Sequence, residues 1–339
     1  MVKGRQLPEA FLEKLRRLVP MNQWDKISKS FNTEKPTTFR INTIKTNSHS
    51  IREKLESQGL KIENVSWAKD AFVLRKGLQK DLEKTDSYRK GDIYVQGLSS
   101  MIPPLVLNPA PGETVLDLTA APGSKTTQMA CLMNGLGQIV ANDNNPIRVE
   151  KLKANVELQG ATCVNVPDAS DGGLFWKNHL DEFDRVLLDA PCSSEGRFSL
   201  NEPATYGYWR NDTNRKMAKE QRRLFKSAFY SLKPGGTMVY STCTFAPEEN
   251  EMVLDWAKET YGDALEIQDI PLALPSSMRA LSSWGDLKFH PSVIKSLRVL
   301  PNTDLEGFFV AKLKKTKSIP PPPPQDFSHV KPEADGTTE

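Results

Sequence analysis

The sequence predicts an α/β fold, in which a parallel sheet is covered by helices on both faces, preceded by a small α+β domain. Three observations support this. From about residue 98, short apolar runs alternate with segments of helical periodicity, as parallel strands with crossover helices require. An aspartate follows each of four apolar runs, and ligands bind at such strand ends in open sheets. Before residue 95, helical and strand-like segments are mixed without this regular alternation.

The segments before residue 95 predict a two-layer unit of helices and strands. PEAFLEKLRRLV, residues 8–19, carries apolar residues at helical spacing, and SIREKLESQG has the pattern of a helix that closes on Gly59. TTFRINTI, FVLRKG and DIYVQG are rich in β-branched and aromatic residues, which predicts strands.

The segments after residue 98 predict the parallel sheet and its helices. Strands are predicted in TVLDLTA, QIVAND, ATCVNVPD, FDRVLLDAP and GGTMVYSTC, and helices in SKTTQMACLMN, PIRVEKLKANVELQG and AKEQRRLFKSAFYSL. A further helix is predicted to start at Pro247, because three acidic residues would then fall in its first turn. EGFFVAKLKK, residues 306–315, predicts a last strand.

These patterns divide the chain into an α+β domain over 1–95, a sheet domain over 96–315 and a proline-rich tail over 316–339. The run SIPPPPPQ has polyproline II character and the residues after it are polar, which predicts a disordered tail. A ligand for proline-reading modules is the alternative for this segment.

Composition excludes several classes of protein. With 38% hydrophobic and 26% charged residues among 339, the chain can build a core and stay in solution. No window resembles a membrane span, and the first residues lack the apolar centre of a signal peptide, so we expect cytoplasmic residence. The four cysteines form no CxxC pair and have no histidine at ligand spacing, which argues against a disulfide framework and against a metal site.

Charge is distributed unevenly along the chain. Residues 1–95 carry 20 lysines and arginines against 12 acidic residues, a net +8, and the remainder carries 25 against 30, a net −5. A basic front domain on a slightly acidic body suggests contact with a polyanion. A solvated surface with excess lysine is the alternative.

Four aspartates at successive strand ends, Asp117, Asp143, Asp168 and Asp189, favour a nucleoside cofactor over simple turn capping. A carboxylate after the second strand suits a ribose diol, and one after the third could accept from an adenine amine. The turn TAAPGSKT contains only one glycine, Gly123, so it is neither a dinucleotide fingerprint nor a P-loop.

Two cysteines, Cys192 and Cys243, stand directly after apolar runs, in LLDAPCSSEGRF and YSTCTFAPEENE. In a reducing compartment such thiols are either packing residues or reactive groups. A cysteine between a strand end and a helix N-terminus, as predicted for Cys243, can have a lowered pKa. Cys131 and Cys163 lie in a predicted helix and strand, so we expect both to be buried packing residues.

Together, DLTAAPGSKTTQMA, LLDAPCSSEGR and YSTCTFAPEENE resemble the signature segments of RNA cytosine-C5 methyltransferases of the NOL/NOP2/Sun (RsmB/RsmF-like) family. The similarity extends from about residue 37 to 315, and its paired PC and TC motifs are highly specific. It implies a Rossmann-like class I S-adenosylmethionine-dependent methyltransferase with a small RNA-recognition-like α+β domain in front. The implied cofactor is S-adenosylmethionine and the implied partner is RNA, with no membrane and no metal, and we expect a monomer.

The resemblance also implies the site residues. Asp143 would hold the ribose, Asp168 would lie on the adenine side, and Asp189 would lie between cofactor and target base. The other implied cofactor contacts are Thr119, Ala120, Ala121, Pro122, Gly123, Ser124, Lys125 and Arg148. The family often has two glycines before the lysine and a cysteine at the place of Thr119, and neither departure touches the expected chemistry. In residues 316–339 we expect no appended RNA-binding module of the kind that some relatives carry, so the target RNA stays open.

The chemistry that the resemblance implies needs two thiols. C5 of cytosine is too weak a nucleophile to take a methyl group directly, so a thiolate first adds to C6 and makes the ring an enamine. The likeness assigns Cys243 as this nucleophile and Cys192 as the group that assists product release. Asp189, in protonated form, could hydrogen-bond the N3/N4 edge of the base. The sequence does not identify the group that removes the C5 proton.

Several residues leave two interpretations open. Lys125 is either a solvent-facing helix start or an active-site contact, and the family pattern favours the second. Arg40 either approaches the RNA or is only a surface residue. Tyr208 and Trp209 either stack on a base or pack in the core.

Two other functions compete with this one. DNA cytosine-C5 methyltransferases use the cysteine of a PC motif as nucleophile beside an ENV-type glutamate, and no ENV follows Cys192. A catalytically inactive RNA-binding or ribosome-assembly protein would bind RNA without methyl transfer. Within the favoured class, ribosomal RNA is preferred to transfer RNA because APGSKTTQ is similar to the bacterial ribosomal subset.

Overall fold

Two larger sheets and a two-stranded sheet, formed by Ser283–Trp284 and Leu287–Lys288, organise the protein, whose computed structural model describes residues 6–210 and 212–321. The part of the predicted tail beyond residue 321 lies outside these residues. The helices are α1 Glu9–Leu18, α2 Trp24–Ser30, α3 Ser48–Ser57, α4 Gln79–Glu83, α5 Asp86–Arg89, α6 Leu98–Leu107, α7 Ser124–Leu132, α8 Pro146–Gln159, α9 Thr213–Ser231 and α10 Glu251–Tyr261. The strands are β1 Thr38–Ile41, β2 Lys61–Val65, β3 Ala68–Lys76, β4 Ile93–Val95, β5 Thr114–Asp117, β6 Gln138–Ala141, β7 Val164–Asn165, β8 Phe183–Asp189, β9 Leu232–Thr242, β10 Leu265–Gln268, β11 Ser277–Arg279, β12 Ser283–Trp284, β13 Leu287–Lys288, β14 Leu297–Val299 and β15 Phe308–Lys315.

The small sheet is antiparallel, with the strand order β2–β3–β1–β4. Side chains alternate between its two faces, as the pleat of a strand requires. Phe39 and Ile41 of β1 pack with Ile51 and Leu55 of α3. Arg40, between them, reaches the other face and contacts α7. The predicted strands and helix of the front segment are confirmed.

The large sheet has nine strands, with the order β11–β14–β15–β9–β8–β5–β6–β7 and β10 paired to β15. The five strands β7, β6, β5, β8 and β9 are parallel neighbours, which confirms the predicted parallel sheet. β15, the predicted last strand, runs antiparallel beside β9. The carboxyl ends of β5, β6, β8 and β9 therefore meet at one edge.

Helices cover both faces of this sheet, as predicted. Leu188 of β8 packs in a cluster with Phe225 and Phe229 of α9. Its neighbour Leu187 points to the opposite face, in a cluster with Met129 of α7. The continuous apolar run in β8 is thus explained by burial on both sides of the strand.

Two predicted elements are shorter or later than expected. The strand in ATCVNVPD is reduced to two residues, so Cys163 precedes β7 and is only half-buried instead of fully buried. The helix after Cys243 begins at Glu251 and not at Pro247. The backbone between them forms turns, in which the N–H of Met252 donates to the carbonyl of Pro247 at 2.9 Å.

The first two helices pack on the large sheet body and not on the small sheet. Phe11 of α1 lies 4.9 Å, centroid to centroid, from Phe198 and 6.3 Å from Phe245. Phe31, next to α2, joins the same apolar cluster. The segment at 9–31 therefore covers loops that follow β8 and β9. From residue 6 to residue 321, apart from position 211, no helix has both the length and the apolarity needed to cross a bilayer.

Candidate active site

A cleft of 320 Å³ lies at the carboxyl edge of the parallel strands. Its walls come from the segments after β5, β6, β8 and β9, where open α/β sheets bind their ligands. The lining includes Thr119, Asp143, Asp189, Cys192 and Cys243. The fold thus brings together predicted site residues that are far apart in the sequence.

The two predicted site cysteines are in contact. Sγ of Cys192 and Sγ of Cys243 are 3.2 Å apart, and both side chains are half-buried. The hydroxyl of Ser194 lies 3.5 Å from Sγ of Cys243, and the positive charge of Arg197 is nearby. Hydrogen bonding from Cys192 lowers the pKa of Cys243, whereas the same bond and burial raise the pKa of Cys192. One thiol of the pair is therefore suited to ionise and the other to stay protonated.

The lowered pKa of Cys243 has a different cause from the predicted one, because no helix starts beside it. The three acidic residues expected in a first helical turn are engaged by other side chains. Glu248 lies 3.2 Å from a lysine of α1, Glu249 is fully buried, and Glu251 forms a buried ion pair with Arg298. Hydrogen bonds from the neighbouring loop, and not a helix dipole, favour the thiolate.

Asp189, at the end of β8, is held by a lysine and a serine. Nζ of Lys125 lies 2.7 Å from one carboxylate oxygen, and Oγ of Ser241 donates to the other at 2.7 Å. Lys125 is 13% exposed and also donates to Ser100 at 2.8 Å, so it does not face solvent. Both oxygens of Asp189 act as acceptors in these contacts. The protonated form of Asp189 suggested from the sequence stays a prediction.

Asp143 occupies the position expected for a ribose-binding carboxylate. Its side chain is 2% exposed, and its oxygens accept from the backbone N–H of Ala121 at 3.2 Å and of Asn145 at 3.1 Å. Arg148 lies 3.3 Å from the same carboxylate and donates to the carbonyl of Ala121. Each carboxylate oxygen has two lone pairs, so Asp143 can still accept from a ribose hydroxyl. This buried acceptor, with lone pairs left for a ribose hydroxyl, therefore fits a nucleoside cofactor.

Only part of the predicted cofactor loop reaches the cleft. Thr119 and Ala121 line it, and Oγ1 of Thr119 donates to the backbone carbonyl of Asp189 at 2.9 Å. Gly123 has φ +103°, a conformation that favours glycine, and directly precedes α7. The predicted loop contacts outside the cleft lining are Ala120, Pro122, Gly123, Ser124 and Lys125, of which Lys125 is paired with the lining residue Asp189.

Asp168, predicted on the adenine side, does not reach the cleft. Its side chain is fully exposed, 3.9 Å from Lys153, and lines a separate surface groove. Because β7 has only two residues, Asp168 lies in a loop well past the strand end. Asp171 lines the cleft in its place, 2.7 Å from Arg223. Sequence reasoning missed Asp171 because it assumed a longer third strand.

A buried polar network lies behind the cysteines. Glu249 is fully buried and accepts from the backbone N–H of Ser193 at 3.0 Å and from its hydroxyl at 2.5 Å. Side-chain amides of Asn214 and Gln221 each donate to it at 2.8 Å. Burial raises the pKa of Glu249 to about 7. A second fully buried carboxylate, Glu195, accepts from Asn214 at 2.8 Å.

This network joins the two cysteine-bearing loops. The hydroxyls of Ser193 and Thr244, which follow the two cysteines in sequence, are 2.7 Å apart. The hydroxyl of Thr244 also donates to Glu195 at 3.0 Å, and the backbone N–H of Gly196 donates to the carbonyl of Cys243 at 2.9 Å. The contact between the two sulfur atoms therefore depends on carboxylates that touch neither sulfur.

Sequence reasoning missed the members of this network. Glu249 was assigned to a helix start, and no periodicity separates it from its neighbour Glu248, which faces outward. Glu195 and Asn214 carry no local signal of burial either. Their proximity to the two cysteine motifs was the one feature that could have drawn attention to Glu195 and Glu249.

The remaining open interpretations are decided by burial. Arg40 is 3% exposed and donates to Gln96 at 2.8 Å and to Thr127 at 2.7 Å, so both predictions for it, RNA contact and surface residue, were wrong. It is buried because the second face of β1 packs on α7. Trp209 is buried in the core, whereas Tyr208 is 51% exposed beside the cysteine loops.

No metal site competes with this assignment within the described residues, where no three histidine, cysteine, aspartate or glutamate side chains are arranged to hold an ion. The residues that line the cleft offer carboxylates, two thiols and two arginines for its chemistry.

Comparison with known proteins adds to this geometry. Residues 104–314 match the family described as "16S rRNA methyltransferase RsmB/F", and residues 7–97 match "N-terminal domain of 16S rRNA methyltransferase RsmF". A relative in Vibrio campbellii, ribosomal RNA small subunit methyltransferase F, is 38% identical over 323 residues, covering 93% of this chain and 65% of the relative. The protein of the same name in Escherichia coli O127:H6 is 37% identical over 319 residues, covering 92% of this chain and 64% of the relative. The chain thus spans slightly less than two thirds of the length of these relatives.

Solved structures show the same fold. A methyltransferase homolog protein from Pyrococcus horikoshii is 30% identical with a TM-score of 0.77, covering 91% of this chain and 100% of that one. NSun6 from the same organism, solved with SFG, has a TM-score of 0.76 at 22% identity, covering 92% of this chain and 99% of that one.

Proposed function

This chain belongs to the 16S rRNA methyltransferase RsmB/F family, and from that premise we propose that it transfers a methyl group from S-adenosylmethionine to C5 of a cytosine in RNA. The observation that carries the proposal is the contact of two thiols, 3.2 Å apart, in a cleft that is also lined by Asp189, the carboxylate paired with Lys125. One thiol has a lowered and one a raised pKa. Addition to C6 and later elimination need this combination, since one group must attack and the other must hold a proton.

Asp189, which lines the cleft, and its partner Lys125 would hold the cytosine. Asp189 can accept from the N4 amine through a free lone pair, while the ammonium of Lys125 donates toward N3 or O2 of the ring. Both contacts strengthen as negative charge develops on the ring during attack at C6. Asp189 thus acts as an acceptor, and the proton donor to the ring is Lys125.

The thiols would carry the covalent steps. Sγ of Cys243 attacks C6, and the new S–C bond leaves an enamine whose C5 is nucleophilic. When bound, S-adenosylmethionine supplies the electrophilic methyl group, and Asp143 holds its ribose. A bound water or a base on the enzyme takes the C5 proton, the S–C bond breaks, and the proton held by Cys192 passes to the departing sulfur of Cys243, 3.2 Å away.

The substrate is proposed as small-subunit ribosomal RNA, in line with the names of the relatives. The target cytosine must leave its stack to reach Cys243, so it lies in a single-stranded or flipped position. A ribosomal substrate agrees with the cytoplasmic residence expected from the sequence.

Methyl transfer tests the proposal directly. The protein is incubated with labelled S-adenosylmethionine and total RNA from cells lacking the gene, and 5-methylcytosine is mapped by bisulfite sequencing. We expect one new site in small-subunit ribosomal RNA that is lost in Cys243→Ala. Cys163→Ala removes a half-buried thiol outside the cleft and is the matched control, with activity retained.

The position of the covalent bond separates the competing functions. We expect Cys192→Ala to accumulate an RNA adduct that resists denaturation, because the proton donor for release is missing. Loss of the adduct in Cys192→Ala with an adduct retained in Cys243→Ala would instead indicate DNA-type chemistry. Binding of RNA and cofactor without any methyl incorporation would indicate a ribosome-assembly protein.

A further inference from the structure

The two cleft thiols are placed for a reaction with each other. Their sulfur atoms are 3.2 Å apart, and a disulfide would require them to approach by about 1 Å more. Their loops are held side by side by the Gly196 to Cys243 backbone hydrogen bond at 2.9 Å and the Ser193–Thr244 contact at 2.7 Å. Closing the gap is therefore a small side-chain movement on two loops that are already joined.

We infer that Cys192 and Cys243 form a reversible modification site, at which a hydroperoxide oxidises the pair to a disulfide. Both sulfur atoms belong to residues that line the open cleft of 320 Å³, so a molecule as small as hydrogen peroxide can reach them. The modification itself depends only on this geometry. Its consequence for methyl transfer rests on the proposed function.

The reaction has two steps. First, the thiolate of Cys243, which its lowered pKa favours, attacks one peroxide oxygen. An S–O bond forms and the O–O bond breaks. Hydroxide leaves and is protonated to water. Sγ of Cys192 then attacks the sulfenic sulfur; the S–S bond forms, the S–O bond breaks, and a second water leaves with the Cys192 proton. Two thiols lose two electrons and the peroxide gains them. A thiol reductant reverses the change by thiol–disulfide exchange.

The other two cysteines lack this arrangement. Cys131 is 8% exposed in the core and its sulfur lies 3.4 Å from Oδ1 of Asn42. Cys163 is half-buried outside the cleft, and burial raises its pKa, which disfavours attack on peroxide. Oxidation should therefore select one pair out of the four thiols in the chain.

The test uses the reduced full chain, an equimolar amount of hydrogen peroxide, alkylation of remaining thiols, and peptide mass mapping. We expect a cross-linked peptide joining Cys192 to Cys243 that has lost two hydrogen atoms, with Cys131 and Cys163 alkylated. Dithiothreitol should restore four free thiols. Cys163→Ser is the matched control and should form the same cross-link.

A second variant keeps the inference falsifiable. In Cys192→Ser the second step is missing, so Cys243 should be trapped as sulfenic acid by dimedone and then over-oxidise to a sulfinic acid that dithiothreitol does not reverse. Wild-type protein in which Cys243 is over-oxidised while Cys192 stays alkylated would overturn the inference, and so would a cross-link to Cys131 or Cys163.

Activity measured on the same samples separates this inference from the proposed function. We expect methyl transfer to fall in proportion to the cross-linked fraction and to return fully with dithiothreitol. A cross-link that forms in a protein without methyl transfer would support the modification site and refute the proposed function. Methyl transfer by a protein that forms no cross-link would support the proposed function and refute the modification site.

Discussion

Replacing Glu249 by glutamine is expected to change how the stability of the protein depends on pH. The Glu249 carboxylate is fully buried, and its donors are neutral groups of Ser193, Asn214 and Gln221. Burial raises its pKa from 4.5 to about 7. Near neutral pH the folded protein therefore holds a proton that the unfolded chain has largely released.

The size of the effect follows from this difference in proton binding. A pKa raised on folding gives a stabilising contribution that is complete below the unfolded value of 4.5 and is lost as pH rises through the folded value of about 7. At ~1.36 kcal/mol per pH unit, the free energy of unfolding should fall by roughly 2 kcal/mol between about pH 5.5 and about pH 8 through this group. Burial raises the pKa of Asp117 to about 7 as well, which adds a decrease in the same direction.

Equilibrium unfolding in urea at these two pH values measures the effect. In Glu249→Gln, the decrease in unfolding free energy should be smaller than in the wild type by roughly 2 kcal/mol, because one titrating group is gone. Glu259→Gln, at an exposed position on α10, is the control and should keep the full decrease. Equal pH dependence in Glu249→Gln and the wild type would refute the reasoning, whatever the absolute stability of the variant.

Three further changes have defined outcomes. Arg298→Leu leaves the buried Glu251 carboxylate without its cation and should lower the urea-unfolding free energy by about 3–5 kcal/mol; an unchanged midpoint would contradict a buried ion pair. Gly196→Ala places a methyl group into a backbone carbonyl of the segment before β15, so we expect a lower melting temperature and less covalent RNA adduct per folded molecule. Lys125→Met removes the cation beside Asp189 and should reduce single-turnover methyl transfer about 100-fold with the circular dichroism spectrum unchanged; wild-type turnover would exclude a role for the lysine in the reaction.

The parallel part of the sheet could be predicted because its signal is local. The apolar run of β8 requires cover on both sides, and Leu187 and Leu188 indeed pack into different clusters. The short strands β10 to β14 contain no continuous apolar run of this kind and were not predicted. Ser277–Arg279 and Leu297–Val299 have three residues each and are stabilised as strands by pairing with a neighbour.

The residues of the candidate site show the same contrast between positions set by local sequence and positions set by distant contacts. Asp189 is the last residue of a strand, and Asp143, Cys192 and Cys243 closely follow strands, so the position of each strand end places them at the cleft. The inward side chain of Glu249 is decided by donors from one other loop and from α9, which no local pattern encodes. Errors at the site therefore concentrate in residues whose environment is supplied by distant parts of the chain.

The position of α1 has a consequence for the synthesis of the protein on the ribosome. Its apolar residues Phe11 and Leu15 leave the exit tunnel early, but Phe198 and Phe245, which cover them, are translated roughly 190 and 230 residues later. At about 5–20 residues per second, α1 must wait roughly 10 to 40 seconds for Phe198. During that interval the apolar face of an amphipathic helix is exposed on the nascent chain, where a chaperone such as a ribosome-bound holdase can bind it. Completion of the loops that follow β8 and β9, and not of the N-terminal sheet, ends this vulnerable period.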